Sequence, residues 1–188
     1  VWGSDILSGN IAKAFEISSE LLDIDYIDLY LVHWPVKGKE AETWLEMEKI
    51  YAAGKTKAIG VSNHLIHHLK EVLSVASIKP VSNQVEMHPY LINKELASFC
   101  ADNDIVCQSW SPLGSSKVDL LDEAVLREIG DKYGKSPAQV VLRWNIERGI
   151  VSIPKSSKAD RQAVNIDVFD FELTADEVDK INSLNRDY

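Results

Sequence analysis

Five short β-prone runs, each followed by a helical stretch, constrain this chain more than any other feature of its 188 residues. The clearest is YIDLYLVHWP, from Tyr26 to Pro35. Ile27, Leu29, Leu31 and Val32 make it nearly continuously apolar, the pattern of a strand whose two sheet faces are both covered. Pro35 has no amide hydrogen for a ladder and stops the strand. His33 is thereby left at the C-terminal end of a buried strand, the end at which parallel α/β folds place ligands and chemistry. A histidine there also fits a core position with a satisfied ring, so the remaining runs have to decide between the two.

The other runs are TKAIGVSN, VSNQVE, IVCQSW and GIVSIP. Residues 7–22 carry Ile11, Ala14, Phe15, Ile17, Ser18 and Leu21 at helical spacing and predict one amphipathic helix. Further helices are expected near 41–53, with Gly54 as its stop, at 65–75 and at 94–101. A longer helical region, 121–148, is broken by YGKSP, where Gly134 ends one helix and Ser136 with Pro137 starts another. A short helix near 159–164 and a terminal one opened by TADE, a threonine cap with an acidic residue three places on, complete the order. The leading VW pair reads as the stub of one more strand. Strands alternating with helices imply βαβ units on a parallel sheet, and with no repeat or linker in view residues 1–188 read as one domain. Periodicity leaves two architectures open, a doubly wound sheet and part of a (β/α)₈ barrel. No G-x-G-x-x-G follows the first strand, which favours the barrel, although a complete one needs about 250 residues.

Composition narrows the partners. A net charge of −9 argues against nucleic acid and anionic membrane surfaces. No stretch reaches the roughly 20 apolar residues of a membrane span, and the start shows no signal-peptide pattern. Cys100 and Cys107 lack neighbouring histidines at metal-ligand spacing and read as reduced packing residues of a cytoplasmic protein. His64, His67 and His68 are spaced like a weak metal cluster, but without a fourth ligand they read as solvated surface of the helix after GVSN. Tyr30 lies three places from His33, on the opposite face of the strand.

The strand ends carry polar and aromatic groups together: His33 and Trp34, then Ser62 and Asn63, then Gln84, Glu86 and His88, then Trp110 and Ser111, then IPKSSKADR. On these residues the chain resembles the aldo-keto reductases, NADPH-dependent (β/α)₈ TIM-barrel enzymes that reduce aldehydes and ketones to alcohols. The matching stretches are LDIDYIDLYLVHWP, GKTKAIGVSN, NQVEMHPYL, SWSPLG, SPAQVVLRW, IPKSSKADRQAVN and VFDFELTADE, in the family's order and almost end to end.

The resemblance implies that His33 hydrogen-bonds the substrate carbonyl and orients it for hydride transfer. It implies that Ser62, Asn63 and Gln84 hold the nicotinamide carboxamide. Trp110 stands where many members have tyrosine and offers a flat face to the nicotinamide ring. Ser111, Leu113, Gly114 and Ser116 would belong to the loop over the pyrophosphate. Lys155, Ser156 and Arg161 would bind the 2′-phosphate and Asn165 the adenine, while Val164 replaces a glutamate that contacts adenine in many members. Trp34 and Trp44 would give a small carbonyl substrate's pocket its aromatic walls, under a short GSSKVD loop.

The family's tyrosine proton donor and its aspartate and lysine partners have no counterpart in residues 1–188. The expected fold is therefore a (β/α)₈ barrel that is incomplete, lacking the first two β/α units and most of the third strand, with self-association through open sheet edges. A scaffold of this type without turnover, serving as a cofactor-binding or protein-interaction module, is the alternative to a working reductase.

Overall fold

The computed structural model describes every residue except Ser116, Lys117 and Tyr188. Its strands are β1 (Ile27–Val32), β2 (Thr56–Ser62), β3 (Ser82–Glu86), β4 (Val106–Trp110) and β5 (Val151–Ser152). They follow in sequence order in one parallel sheet, β1-β2-β3-β4-β5. The helices between and around them are α1 (Gly3–Leu7), α2 (Ile11–Leu22), α3 (Glu40–Ala52), α4 (Ile66–Val75), α5 (Lys94–Asp102), α6 (Ala124–Tyr133), α7 (Pro137–Glu147), α8 (Ala159–Ile166) and α9 (Ala175–Asn182). This is the alternating α/β order expected. Among the described residues no helix is long and apolar enough to cross a membrane. The chain divides into two compact units, Val1–Gln84 with Ser98–Val106, and Val85–Ala97 with Cys107–Tyr188.

In the first unit, Leu31 lies opposite Gly60 and Val32 opposite Val61, while Val61 and Ser62 pair with Asn83 and Gln84. A Cβ on Gly60 would sit 2.8 Å from the Leu31 Cδ2 and Ser82 Oγ atoms and 2.9 Å from the Ser82 carbonyl oxygen, closer than real Cβ contacts. Only glycine lets β2 lie this near its neighbours. Tyr30 is buried edge-on against Phe15 of α2 at 4.9 Å. The helix expected over 7–22 starts only at Ile11, and a separate short helix, α1, precedes it. Gly9 takes φ +68, and the Asn10 amide turns back to the Asp5 carbonyl at 2.8 Å, which ends α1 and re-aims the chain into α2. The VW pair extends β1's outer edge: the Val1 amino group donates to the Leu31 carbonyl (2.8 Å) and the His33 amide to the Val1 carbonyl (2.9 Å).

In the second unit, β4 and β5 pair through Gln108–Val151 and Ser109–Ser152, and β5 is only two residues long, much shorter than GIVSIP suggested. A core of Leu126, Ile129, Val140, Val141, Trp144, Phe171 and Ile181 joins α6, α7 and α9. Ser136 caps α7 and Thr174 caps α9, each in a reciprocal box with the residue three places on, as the SPAQ and TADE patterns implied.

Candidate active site

The first unit brings His33, Ser62 and Asn63, where β1 and β2 end, beside Gln84 in the middle of β3. The Ser62 hydroxyl donates to the Gln84 carbonyl at 2.7 Å, and the Asn63 amide N–H donates to the same oxygen at 2.9 Å. The Asn63 side-chain nitrogen donates to the His33 carbonyl (2.9 Å) and to the Ser62 hydroxyl oxygen (3.1 Å). Asn63 does this from a left-handed backbone, φ +58, a conformation that costs a non-glycine residue roughly 1 kcal/mol and that asparagine tolerates better than most. The pattern S-N at a strand end therefore encodes a turn as well as two polar groups.

The His33 ring is partly exposed, and among the described residues neither ring nitrogen has a hydrogen-bond partner. Trp2 meets the ring edge-on at 4.3 Å between centroids, and Trp34, 50% exposed, lies at 6.3 Å. Trp2 is a neighbour that the strand pattern did not single out. Trp44, expected as a second aromatic wall, is fully buried in α3 and donates its indole N–H to the Ile78 carbonyl at 2.9 Å. It is a packing residue, placed there by the apolar face of its helix.

His64 also departs from expectation. It precedes α4 rather than lying on it and is 1% exposed, with Nδ1 2.8 Å from the Ser62 carbonyl. Burial depresses its pKa to about 4. His67 stays exposed, and His68 is half-buried with Nδ1 accepting from the Leu65 amide at 3.1 Å, a capping contact. The sequence could have hinted at this, since His64 falls two residues after a strand end and before the helical period begins.

The second unit holds the remaining candidates. Lys155, Ser156, Arg161 and Asn165 line one cleft of about 410 Å³ together with Leu113, Leu121, Ser136, Ala138, Asp160 and Val164. Lys155 and Arg161 are exposed, and among the described residues neither is in an ion pair. The turn before α8 is fixed by Gln162, which donates to the Ser156 carbonyl at 2.7 Å, and by the Lys158 amide on the Ser156 hydroxyl at 3.1 Å. Trp110 ends β4, half-buried, and is followed by Ser111 (φ +48), Gly114 (φ +76) and Ser115 (φ +51). Left-handed residues in such a loop turn successive N–H groups toward one side, the arrangement that cradles anions. Ser116, the last residue assigned to this loop, lies outside the described residues. His88 is 1% exposed, its Nδ1 has no hydrogen-bond partner among the described residues, and burial lowers its pKa.

These arrangements have counterparts among known proteins. A profile of the aldo/keto reductase family matches residues 1–186. The glyoxal reductase of Bacillus subtilis (strain 168) is 50% identical over 187 residues, which make up 100% of this chain and 67% of that protein. MGS-M4, an aldo-keto reductase from a Medee basin deep-sea metagenome library, matches with a TM-score of 0.96 at 40% identity over 100% of this chain and 70% of that one. The aldo-keto reductase AKR2E5, crystallised as a complex with NADPH, gives 0.94 at 32% identity over 100% and 63%. This chain thus spans about two thirds of the length of the curated relatives it matches. Since the profile, the relatives and the strand order agree over almost every residue, the chain belongs to the aldo/keto reductase family.

Proposed function

We propose that the protein is an NADPH-dependent oxidoreductase that reduces small aldehydes and ketones to alcohols, with glyoxal-type dicarbonyls as the substrate class its 50% identity to a glyoxal reductase suggests. The observation that carries this reading is the partly exposed His33 ring, without a partner among the described residues, on a residue whose main-chain carbonyl accepts from the Asn63 side chain that also bonds Ser62.

The donor sets suit the cofactor. A serine hydroxyl and two side-chain amides, Ser62, Asn63 and Gln84, complement both halves of a carboxamide. Lys155 and Arg161 with the Ser156 hydroxyl suit a 2′-phosphate monoester, arginine adding planar, charge-assisted contact, and neither cation has a carboxylate to displace among the described residues. Asp160 on the same cleft opposes an anion and sets a limit on its affinity. Asn165 would reach the adenine. Ser111, Leu113, Gly114 and Ser116 belong to the pyrophosphate loop in this reading, and Trp110 gives the nicotinamide a flat face.

When bound, NADPH would supply the hydride, and the alkoxide so formed needs a proton, the family's tyrosine donor having no counterpart in residues 1–188. His33 donates a ring N–H to the substrate's carbonyl oxygen, which polarises the C=O bond and fixes the face presented for attack. Trp34 gives the substrate an exposed apolar wall. Fluorescence titration with NADPH and NADH, paired with NADPH consumption on a panel of small aldehydes, tests the reading. Preference for NADPH that falls roughly tenfold or more in Arg161→Ala or Lys155→Ala is expected, each substitution removing one charge-assisted contact. Equal affinity for the two cofactors would overturn the phosphate assignment. Turnover by a polypeptide of residues 1–188 alone is expected near background, because the proton-donating tyrosine and its aspartate and lysine partners have no counterpart in them; robust turnover would require another acid near His33.

A further inference from the structure

The turn at Asn63 is held from beneath as well as from β3. Asn83, fully buried, accepts the His64 amide N–H on Oδ1 at 3.3 Å and donates from Nδ2 to the His64 carbonyl at 2.8 Å. One side-chain amide thus clips both backbone groups of the residue following Asn63. It supplies the rung that β2 can no longer make with β3 once the chain turns away. The His64 ring closes the other side, because Nδ1 lies 2.8 Å from the Ser62 carbonyl. A carbonyl oxygen only accepts, so the proton sits on Nδ1. The backbone is therefore bonded on both sides of the left-handed residue: Ser62 through its carbonyl, Asn63 through its N–H, and His64 through both its N–H and its carbonyl.

Two fully buried polar side chains are an expensive way to fill this space, where an aliphatic or aromatic residue would pack without desolvation. What they provide is a fixed turn conformation. Ser62, which shares a hydrogen bond with the Asn63 side chain, is fixed by the same contacts. Charged and titratable groups facing His64 are Glu40 of α3 and His68 of α4, whose ring lies 5.8 Å away, and the Cys100 thiol of α5 packs against Asn83 at 3.9 Å. Glu40 favours the imidazolium, while burial and His68 oppose it, so the ring is neutral near neutral pH.

We propose that His64 and Asn83 are positioning residues for the carboxamide-binding pair Ser62 and Asn63: neither touches the cofactor, and together they hold the turn in the conformation that presents those two side chains to the nicotinamide end. This rests on the cofactor reading given above. It implies that loosening the turn weakens binding of the nicotinamide half and leaves the adenosine half untouched.

The test compares affinities for NADPH and for adenosine 2′,5′-bisphosphate, which carries the 2′-phosphate and no nicotinamide, by titration calorimetry. His64→Phe fills the ring's space without a donor, and Asn83→Ala removes the clip. His64→Asn restores a side-chain N–H near the Nδ1 position. His64→Phe and Asn83→Ala should weaken NADPH binding roughly fivefold or more, while affinity for the bisphosphate stays within about twofold. His64→Asn should recover most of the loss. Thermal unfolding identifies any variant that does not fold; Asn83→Asp, which keeps the acceptor for the His64 amide, then replaces Asn83→Ala and should show an intermediate loss. Equal weakening for both ligands, or no NADPH loss in His64→Phe where Asn63→Ala shows one, would overturn the proposal. If Asn63→Ala itself leaves NADPH affinity unchanged, the carboxamide assignment fails, and the positioning role falls with it.

Discussion

Glutamine in place of Glu177 should cost stability at neutral pH and cost nothing in strong acid. The Glu177 carboxylate, whose side chain is 9% exposed, accepts from Lys132 Nζ at 2.7 Å, from the Tyr133 hydroxyl at 2.8 Å and from the Thr174 amide at 2.8 Å, tying α9 to α6. Burial alone would raise its pKa; the hydrogen bonds from Lys132, Thr174 and Tyr133 outweigh burial and hold the group at about 2. Because the folded pKa is depressed, the stabilisation is complete above the unfolded value of 4.5 and is lost as pH falls through about 2. At about 1.4 kcal/mol per pH unit the interval corresponds to roughly 3 kcal/mol. Lys132 is 53% exposed, so solvent screens its share, and about 1–2 kcal/mol is the expected net effect. Urea unfolding of the wild type and Glu177→Gln, followed by circular dichroism at a series of pH values, measures the difference while other carboxylates cancel. The difference should be near its full value at neutral pH and shrink toward zero in strong acid. A difference that stays constant across that range, or a glutamine variant as stable as the wild type at neutral pH, would refute the reasoning.

His64 predicts a second and higher window. Its pKa is lowered from 6.5 to about 4, so its contribution is complete above 6.5 and declines as pH falls toward 4, by about 2–3 kcal/mol; the wild type should show this slope and His64→Asn should not, when unfolding free energies are compared across the interval. Gly60→Ala should destabilise by about 1–3 kcal/mol, because the Ser82 carbonyl 2.9 Å from the new Cβ is backbone and cannot swing aside; thermal unfolding reads it, and a neutral outcome would mean that β2 and β3 part more easily than their pairing implies. A polypeptide of these 188 residues, with β1 and β5 at the ends of the sheet order, is expected to self-associate, and sedimentation as a monomer at high concentration would contradict that.

Local patterns were enough for the order of elements, because apolar runs, glycine stops and capping boxes act within a few residues of one another. Ser136 with Gln139 and Thr174 with Glu177 form the boxes their spacing implies. Gly9 shows where local reading slipped. The apolar period over 7–22 runs straight through it, yet the glycine's φ of +68 and the bond from the Asn10 amide to the Asp5 carbonyl end α1 at Leu7 and delay α2 to Ile11. Family motifs also bring the candidate site residues into view, most at a strand end or in the segment that follows one, and Gln84 within β3.

Tertiary structure decided what each of those residues faces. His33, Trp44 and His64 all belong to types that serve equally well in a core or a site, and sequence period could not separate them. Packing leaves the His33 ring half-open with its nitrogens unbonded among the described residues, while it seals Trp44 against Ile78 and His64 beneath Ser62. The clip from Asn83 to His64 joins positions 19 residues apart, and it exists only because β2 and β3 lie side by side. Burial and hydrogen-bond partnership depend on which strands become neighbours, and that is a property of the folded chain rather than of any short stretch of its sequence.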